Sequence, residues 1–236
     1  MTWDVWRARQ DWICLTPIPG ARVWLIPLPD SGSDVAPALS EATLDCLSTA
    51  ERQRAQRFIH PRHARLYQAA HAALNVLLAE HVSCSPTALM IEADAQGKPH
   101  LVPPTLHFNL SHSDAWALVA THPDHPLGVD IEIHQPSGDH EALARTIFTP
   151  DEWQAWSALD SAERGIALFN AWTRKEACIK ALGTGLLTPP DQVSVGVSPH
   201  PNRGDWLPDP GPRIHWTDLT LHLPKAHSAS LAWFNA

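Results

Sequence analysis

The spacing of apolar residues divides the chain into two similar runs. Residues 23–28 (VWLIPL) form a short apolar stretch and predict a strand. A loop rich in Pro, Ser and Asp follows over 29–38. Ser48-x-x-Glu51 is a capping box, so a helix is expected to start there. Pro61 interrupts that helix and opens a second one. In it Leu66, Ala70, Ala73, Leu74, Leu77 and His81 recur at helical spacing and predict one buried face. Short strands are predicted at 89–93, 106–110 and 116–120, and the turn HPDHP at 122–126 leads into LGVDIEIH.

The second run repeats this order. Thr149, Pro150 and Glu152 supply an N-cap, a first helical residue and a capping-box acid. A short helix carrying Trp153 and Trp156 follows, and then a longer one over 161–182 that stops at Gly183. Strands are predicted at 192–197, 214–222 and 230–234, and the Pro-rich stretch 198–213 is expected to be a loop. The two caps lie about a hundred residues apart. The pattern predicts an α+β fold of two pseudo-symmetric α/β lobes, residues 1–123 and 124–236, with a shared cleft between them. LGVDIEIH begins at the junction, where ligand pockets are common.

Composition narrows the function classes. The formal net charge is −8, and the only dense basic stretch is ERQRAQRF at 51–58. That excludes a nucleic-acid coat and leaves room for one or two phosphates. No apolar run approaches the ~20 residues of a membrane span, and the N-terminus lacks a leader pattern. Cys14, Cys46, Cys84 and Cys178 form no CxxC pair, which fits reduced thiols in a cytoplasmic protein.

The candidate chemistry lies in three segments. In LGVDIEIH, Leu127, Val129, Ile131 and Ile133 alternate with Asp130 and Glu132, so both acids share one face. The bland explanation is a half-exposed strand with a polar outer face; two neighbouring carboxylates also suit Mg²⁺, which keeps water and substrate phosphates in its shell. On the long helix Glu176 lies within the stripe of Phe169, Trp172 and Ile179, with Lys180 one turn further on. A surface salt bridge would normally lie opposite such a stripe; an acid inside it needs a partner. Ser111-His112-Ser113 ends a predicted strand and offers donors to a phosphate, and Gln96-Gly97-Lys98-Pro99 is a turn with a cation.

These pieces occur in a known order. GKP at 97–99, FNLSHS at 108–113, GVDIE at 128–132 and WTRKEACIKALGTGL at 172–186 resemble the Sfp-type 4'-phosphopantetheinyl transferases, over roughly residues 45–195. The resemblance implies transfer of the phosphopantetheine arm of coenzyme A to a serine of an apo acyl or peptidyl carrier protein, with release of adenosine 3',5'-bisphosphate. It implies Asp130, Glu132 and Glu176 as Mg²⁺ ligands and Lys180 as the contact to the transferring phosphate. It further implies Ser111 and His112 as phosphate contacts, Lys98 beside the nucleotide, and Arg54, helped by Arg52 and Arg57, near the 3'-phosphate. Either Glu176, or Glu132 through a water, is a candidate general base. Many members carry arginines where this chain has His71 and Asn75, which leaves the grip of the second helix on coenzyme A open. Two alternatives share the same residues: a Mg²⁺-dependent hydrolase of a nucleotide pyrophosphate, and a non-catalytic module that binds coenzyme A or a carrier. A duplicated chain is expected to act as a monomer, without nucleic acid or membrane.

Overall fold

Because successive strand residues face opposite ways, the inner strands of this α+β fold serve two cores at once. The computed structural model describes residues 2, 4–29, 37–135, 138–219 and 226–235. In chain order these form α1 (Val5–Ala8), β1 (Ile13–Leu15), β2 (Arg22–Pro27), α2 (Glu41–Leu44), α3 (Thr49–Ala55), α4 (Pro61–Val82), β3 (Ile91–Ala93), β4 (Pro99–Leu101), β5 (His107–Ser113), β6 (Trp116–His122) and β7 (Leu127–Ile133). Then come α5 (His140–Ile147), α6 (Pro150–Ser157), α7 (Ser161–Leu182), β8 (Arg203–Trp206), β9 (Ile214–Asp218) and β10 (His227–Trp233). Two antiparallel four-stranded sheets run β1-β2-β6-β5 and β7-β10-β9-β8, and β3 pairs with β4.

Alternation sets the layers. Ala117 and Val119 on β6 pack under α4 with Ile26 and Phe108. Their neighbours Leu118 and Ala120 turn the other way and meet Leu127, Val129 and Ile131 of β7, with Ala229 and Leu231 of β10. The outer face of the second sheet, with Ile214, Trp216 and Ala232, is covered by α7. The layers are therefore helix, sheet, sheet, helix. The order β2, α3, α4, β5, β6 recurs as β7, α6, α7, β9, β10, and the adjacencies β2-β6-β5 recur as β7-β10-β9. Both long helices have 22 residues.

Both capping boxes form: Ser48 with Glu51, and Thr149 with Glu152 behind Pro150 at the first helical position. Gly183 ends α7 in the left-handed region, at φ 78°. Several expectations need correction. The stretch 192–197 is not a strand. Its backbone is spent on side chains: Glu152 Oε1 accepts from the amides of Val195 and Gly196 at 2.8 and 3.0 Å, and Lys175 Nζ donates to the carbonyls of Pro190 and Val193. The expected loop 198–213 contains β8, whose Gly204 lets β8 lie against the Trp216 ring; a Cβ there would come within 2.7 Å of it. Helix α5, capped by Asp139, was not foreseen, nor were β1 and β4. Helix α4 is buried nearly all round from Leu66 to Ala79, while His81 in its last turn is exposed. Strand β9 ends at Asp218; the rest of the expected strand, 220–222, and most of the predicted loop 29–38, residues 30–36, lie outside the described residues. Among the described residues no helix is long and apolar enough to cross a membrane.

Candidate active site

The site is built where β5, β7 and α7 meet. Strands β5 and β7 each end a sheet and lie side by side. Side chains join them: Asn109 Oδ1 accepts from the Val129 amide at 2.9 Å, Ser111 Oγ donates to Asp130 Oδ1 at 2.8 Å, and Ser113 Oγ accepts from the Ile133 amide at 3.1 Å. These three residues are two apart, so they share one face of β5. His112 points the opposite way, toward α4, where it feels His71 and His63.

Gly128 explains how α7 comes so close. An added Cβ would collide with the Ala177 carbonyl oxygen and the Ala181 amide, so the helix backbone rests directly on the strand. That contact sets the helix phase. Glu176 and Lys180, one turn apart, then flank the polar face of β7, while Val129 and Ile131 on its other face are buried between the sheets. The strand is thus buried on both faces, and Asp130 is only 2% exposed.

The electrostatics follow from this packing. Asp130 Oδ1 receives Lys180 Nζ at 2.6 Å as well as Ser111; Asp130 Oδ2 is buried with no hydrogen-bond partner among the described residues. Lys180 Nζ also donates to Ser111 Oγ at 3.2 Å. Glu132 accepts from Ser113 Oγ at 2.9 Å and from Trp172 Nε1 at 3.4 Å. Burial first, and then the Asp130 charge, raise both Glu132 and Glu176 above their ordinary value, with Lys180 opposing. Among the described residues no three His, Cys, Asp or Glu side chains form a ready-made metal cage. The donor chemistry nevertheless fits a hard cation: all oxygen, with a buried acceptor on Asp130 that no donor among the described residues reaches.

A pocket of about 550 Å³ opens beside these groups, lined by Glu176, Lys180, Asn109, Gly97, Lys98, Gly185, Leu186 and residues 188–190. Lys98 does more structural work than its turn suggested. Its Nζ donates to the carbonyls of Ala181 at 2.7 Å and Leu127 at 3.1 Å, which ties the end of α7 to the start of β7. Burial pushes Lys98 down to about 8, with Asp94 opposing. His112, although exposed, is held down to about 4 by the protein packed around it, then by His71, Lys180 and His63. Arg54 is exposed and lies over the Tyr67 ring, which also meets His71, 4.1 Å between ring centroids, and Phe58, at 5.3 Å. Arg52 pairs with Asp45, and Arg57 is exposed.

Asp130, Glu132, Glu176, Lys180 and Ser111 therefore come together; His112 borders them on the α4 side, Lys98 stands at the pocket wall, and Arg54 lies further along α3. Asn109 and Gly128 were not singled out in the sequence; Ser113 was read there as a phosphate donor and Trp172 as part of the apolar stripe, not as partners of Glu132. For Asn109 a signal existed, because it alternates with Phe108 and Leu110 as the acids alternate on β7. For Gly128 there was none short of the helix that covers it.

A profile described as the 4'-phosphopantetheinyl transferase superfamily matches residues 126–232, and one described as 4'-phosphopantetheinyl transferase, N-terminal, matches residues 36–124. The 4'-phosphopantetheinyl transferase HetI of Nostoc sp. is 30% identical over 200 residues, covering 79% of this chain and 82% of the relative. The 4'-phosphopantetheinyl transferase Sfp of Bacillus subtilis is 27% identical over 191 residues, 80% of this chain and 76% of its own length. The L-aminoadipate-semialdehyde dehydrogenase-phosphopantetheinyl transferase of Xenopus laevis is 28% identical over 166 residues, 65% of this chain and 55% of its own. With both halves of the chain matched, and with identity of this extent over most of two chains, the protein belongs to the 4'-phosphopantetheinyl transferase superfamily.

Proposed function

We propose that this chain moves the 4'-phosphopantetheine arm of coenzyme A onto a serine of an apo acyl or peptidyl carrier protein, releasing adenosine 3',5'-bisphosphate, with Mg²⁺ as its cofactor. The observation that carries the reading is the junction of Asp130, Ser111 and Lys180, with one Asp130 oxygen left without a donor, beside a pocket lined by Glu176 and Lys180. The similarity to the phosphopantetheinyl transferases HetI and Sfp supports the reaction class. Asp130, Glu132 and Glu176 would hold the metal. When bound, Mg²⁺ supplies neutralisation of the pyrophosphate charge.

The chain's own groups supply the rest. Glu176 lines the pocket and holds protons more tightly than an ordinary glutamate, so it accepts the proton of the carrier serine hydroxyl. Glu132, acting through a water, is the alternative base. The serine oxygen bonds to the phosphorus that bears the pantetheine arm; the bond to the bridging oxygen breaks, and its electrons leave with the bisphosphate. Lys180, anchored by Asp130 and Ser111, opposes the charge that grows on that oxygen. His112, neutral at pH 7, offers a hydrogen bond to phosphate. Lys98 keeps a third N–H for the nucleotide side of the pocket. Arg54 lies exposed for the 3'-phosphate. We also read residues 1–123 and 124–236 as two lobes that close on this cleft within a monomer.

Intact mass of an apo carrier protein, after incubation with this protein, coenzyme A and Mg²⁺, tests the reading. The expected gain is one phosphopantetheine arm, lost on chelation. Steady release of the bisphosphate without any carrier would instead indicate a hydrolase, and coenzyme A binding without transfer to acyl or peptidyl carriers a binding module.

A further inference from the structure

Ser113 makes two hydrogen bonds that no backbone pairing would supply together. The seam between β5 and β7 has side chains where a sheet would have a ladder. Among the described residues the Asn109 side chain serves only a backbone amide, and the Ser111 hydroxyl only side chains. Ser113 serves both. Its oxygen accepts from the Ile133 amide at 3.1 Å, and its hydroxyl donates to Glu132 Oε2 at 2.9 Å. A hydroxyl has a single proton. With the Ile133 N–H pointing in, that proton is directed at the carboxylate. A carbonyl from β5 would satisfy the Ile133 amide equally well and leave Glu132 without its short bond.

Glu132 needs such a hold more than Asp130 does. Asp130 is short, 2% exposed and fixed by two donors on one oxygen. Glu132 is one methylene longer and sits where β7 becomes half-buried. A free glutamate side chain gives up rotamer entropy on ordering. Its other donor among the described residues, Trp172 Nε1, stands at 3.4 Å. The short bond is the one from Ser113, and hydrogen bonds to ionised acceptors are the stronger kind.

We propose that Ser113 is a positioning residue that presents Glu132 to the metal. The proposal rests on the Mg²⁺ reading above. It predicts that the hydroxyl sets metal affinity rather than coenzyme A affinity, because Ser113 faces Glu132 and does not line the pocket.

Titration calorimetry of Mg²⁺ into the full-length protein, without coenzyme A, is the test. Ser113→Ala is expected to weaken Mg²⁺ binding on the order of tenfold. The Mg²⁺ concentration for half-maximal transfer is expected to rise by the same factor, while the rate at saturating Mg²⁺ falls less than threefold. Ser113→Thr keeps the hydroxyl and is expected to restore affinity to within threefold. Ser113→Cys keeps the volume but is a weak donor. It is expected to bind Mg²⁺ several-fold more weakly, and it answers the question if the alanine variant does not fold. A folded alanine or cysteine variant with wild-type Mg²⁺ affinity overturns the assignment alone. Wild-type protein that takes up no Mg²⁺ overturns the metal reading, and the Ser113 assignment with it.

Discussion

Glu51 and Glu152 hold equivalent places in the two halves. Each is the third residue of a capped helix, and each reaches across to the long helix that follows. Glu51 meets α4 through His71 Nδ1 at 2.8 Å and Asn75 Nδ2 at 2.9 Å. Glu152 meets α7 through Lys175 Nζ at 2.5 Å and also accepts two amides of the segment 195–196. The first set is partly covered, with His71 at 23% side-chain exposure and Glu51 at 15%; the second is buried, with Lys175 at 0% and Glu152 at 3%. One device thus carries two loads. In the second half it clamps the chain that walls the pocket against the helix that bears Glu176 and Lys180. In the first half it places an imidazole beside His112, and leaves α4 free of a buried charge there.

The comparison breaks most visibly if the second half does not carry the chemistry. Asp130→Ala and Glu176→Ala are each expected to lower transfer by at least about a thousandfold, with circular dichroism unchanged. Near-normal turnover by either folded variant would remove the acids from the mechanism. The clamp itself comes next. Lys175→Met leaves Glu152 buried without its cation and is expected to cost about 3–5 kcal/mol in denaturant unfolding. The matching change in the first half, His71→Gln, is expected to cost no more than about 1.5 kcal/mol. Equal losses would mean that the two capping acids are equivalent after all.

Gly128→Ala sharpens the same contrast. It presses α7 away from β7 and is expected to cost about 1–3 kcal/mol. Activity should fall further than stability accounts for, since Glu176 and Lys180 ride on the displaced helix. The smallest effect is one of pH. His112 is lowered from 6.5 to about 4, so below pH 6.5 the unfolded chain takes up a proton that the fold refuses. Stability is therefore expected to decline as pH falls from 6.5 toward 4, and His112→Asn to flatten that part of the profile. An unchanged acid limb would mean that the imidazole takes its proton freely in the fold.

What was legible in the sequence was whatever is written locally. Both capping boxes, Pro61 and Pro150 at helix starts, and the stop at Gly183 were visible because caps and turns act within a few residues. The D-x-E pair on one strand face was visible for the same reason. Elements decided by distant partners were not. Residues 192–197 have the composition of a strand, but their amides and carbonyls go to Glu152 and Lys175, more than 15 positions away in every case but one. Strand β8, with the sequence RGDW, carries no apolar alternation and forms because Gly204 fits against Trp216. For the candidate site, the acids and Lys180 stood out by their placement within apolar patterns, and the fold brings them together. The close approach at Gly128 and the second duty of Lys98 required the folded chain.

The seam between the sheets has a consequence outside catalysis. A sheet that ends in an open strand offers its amides to any passing chain and so invites aggregation. At β7 the outward amides of Val129 and Ile133 are already taken by Asn109 and Ser113. The side chains that join β5 to β7 therefore also blunt an adhesive edge, and substitutions at Asn109 or Ser113 are expected to lower colloidal stability.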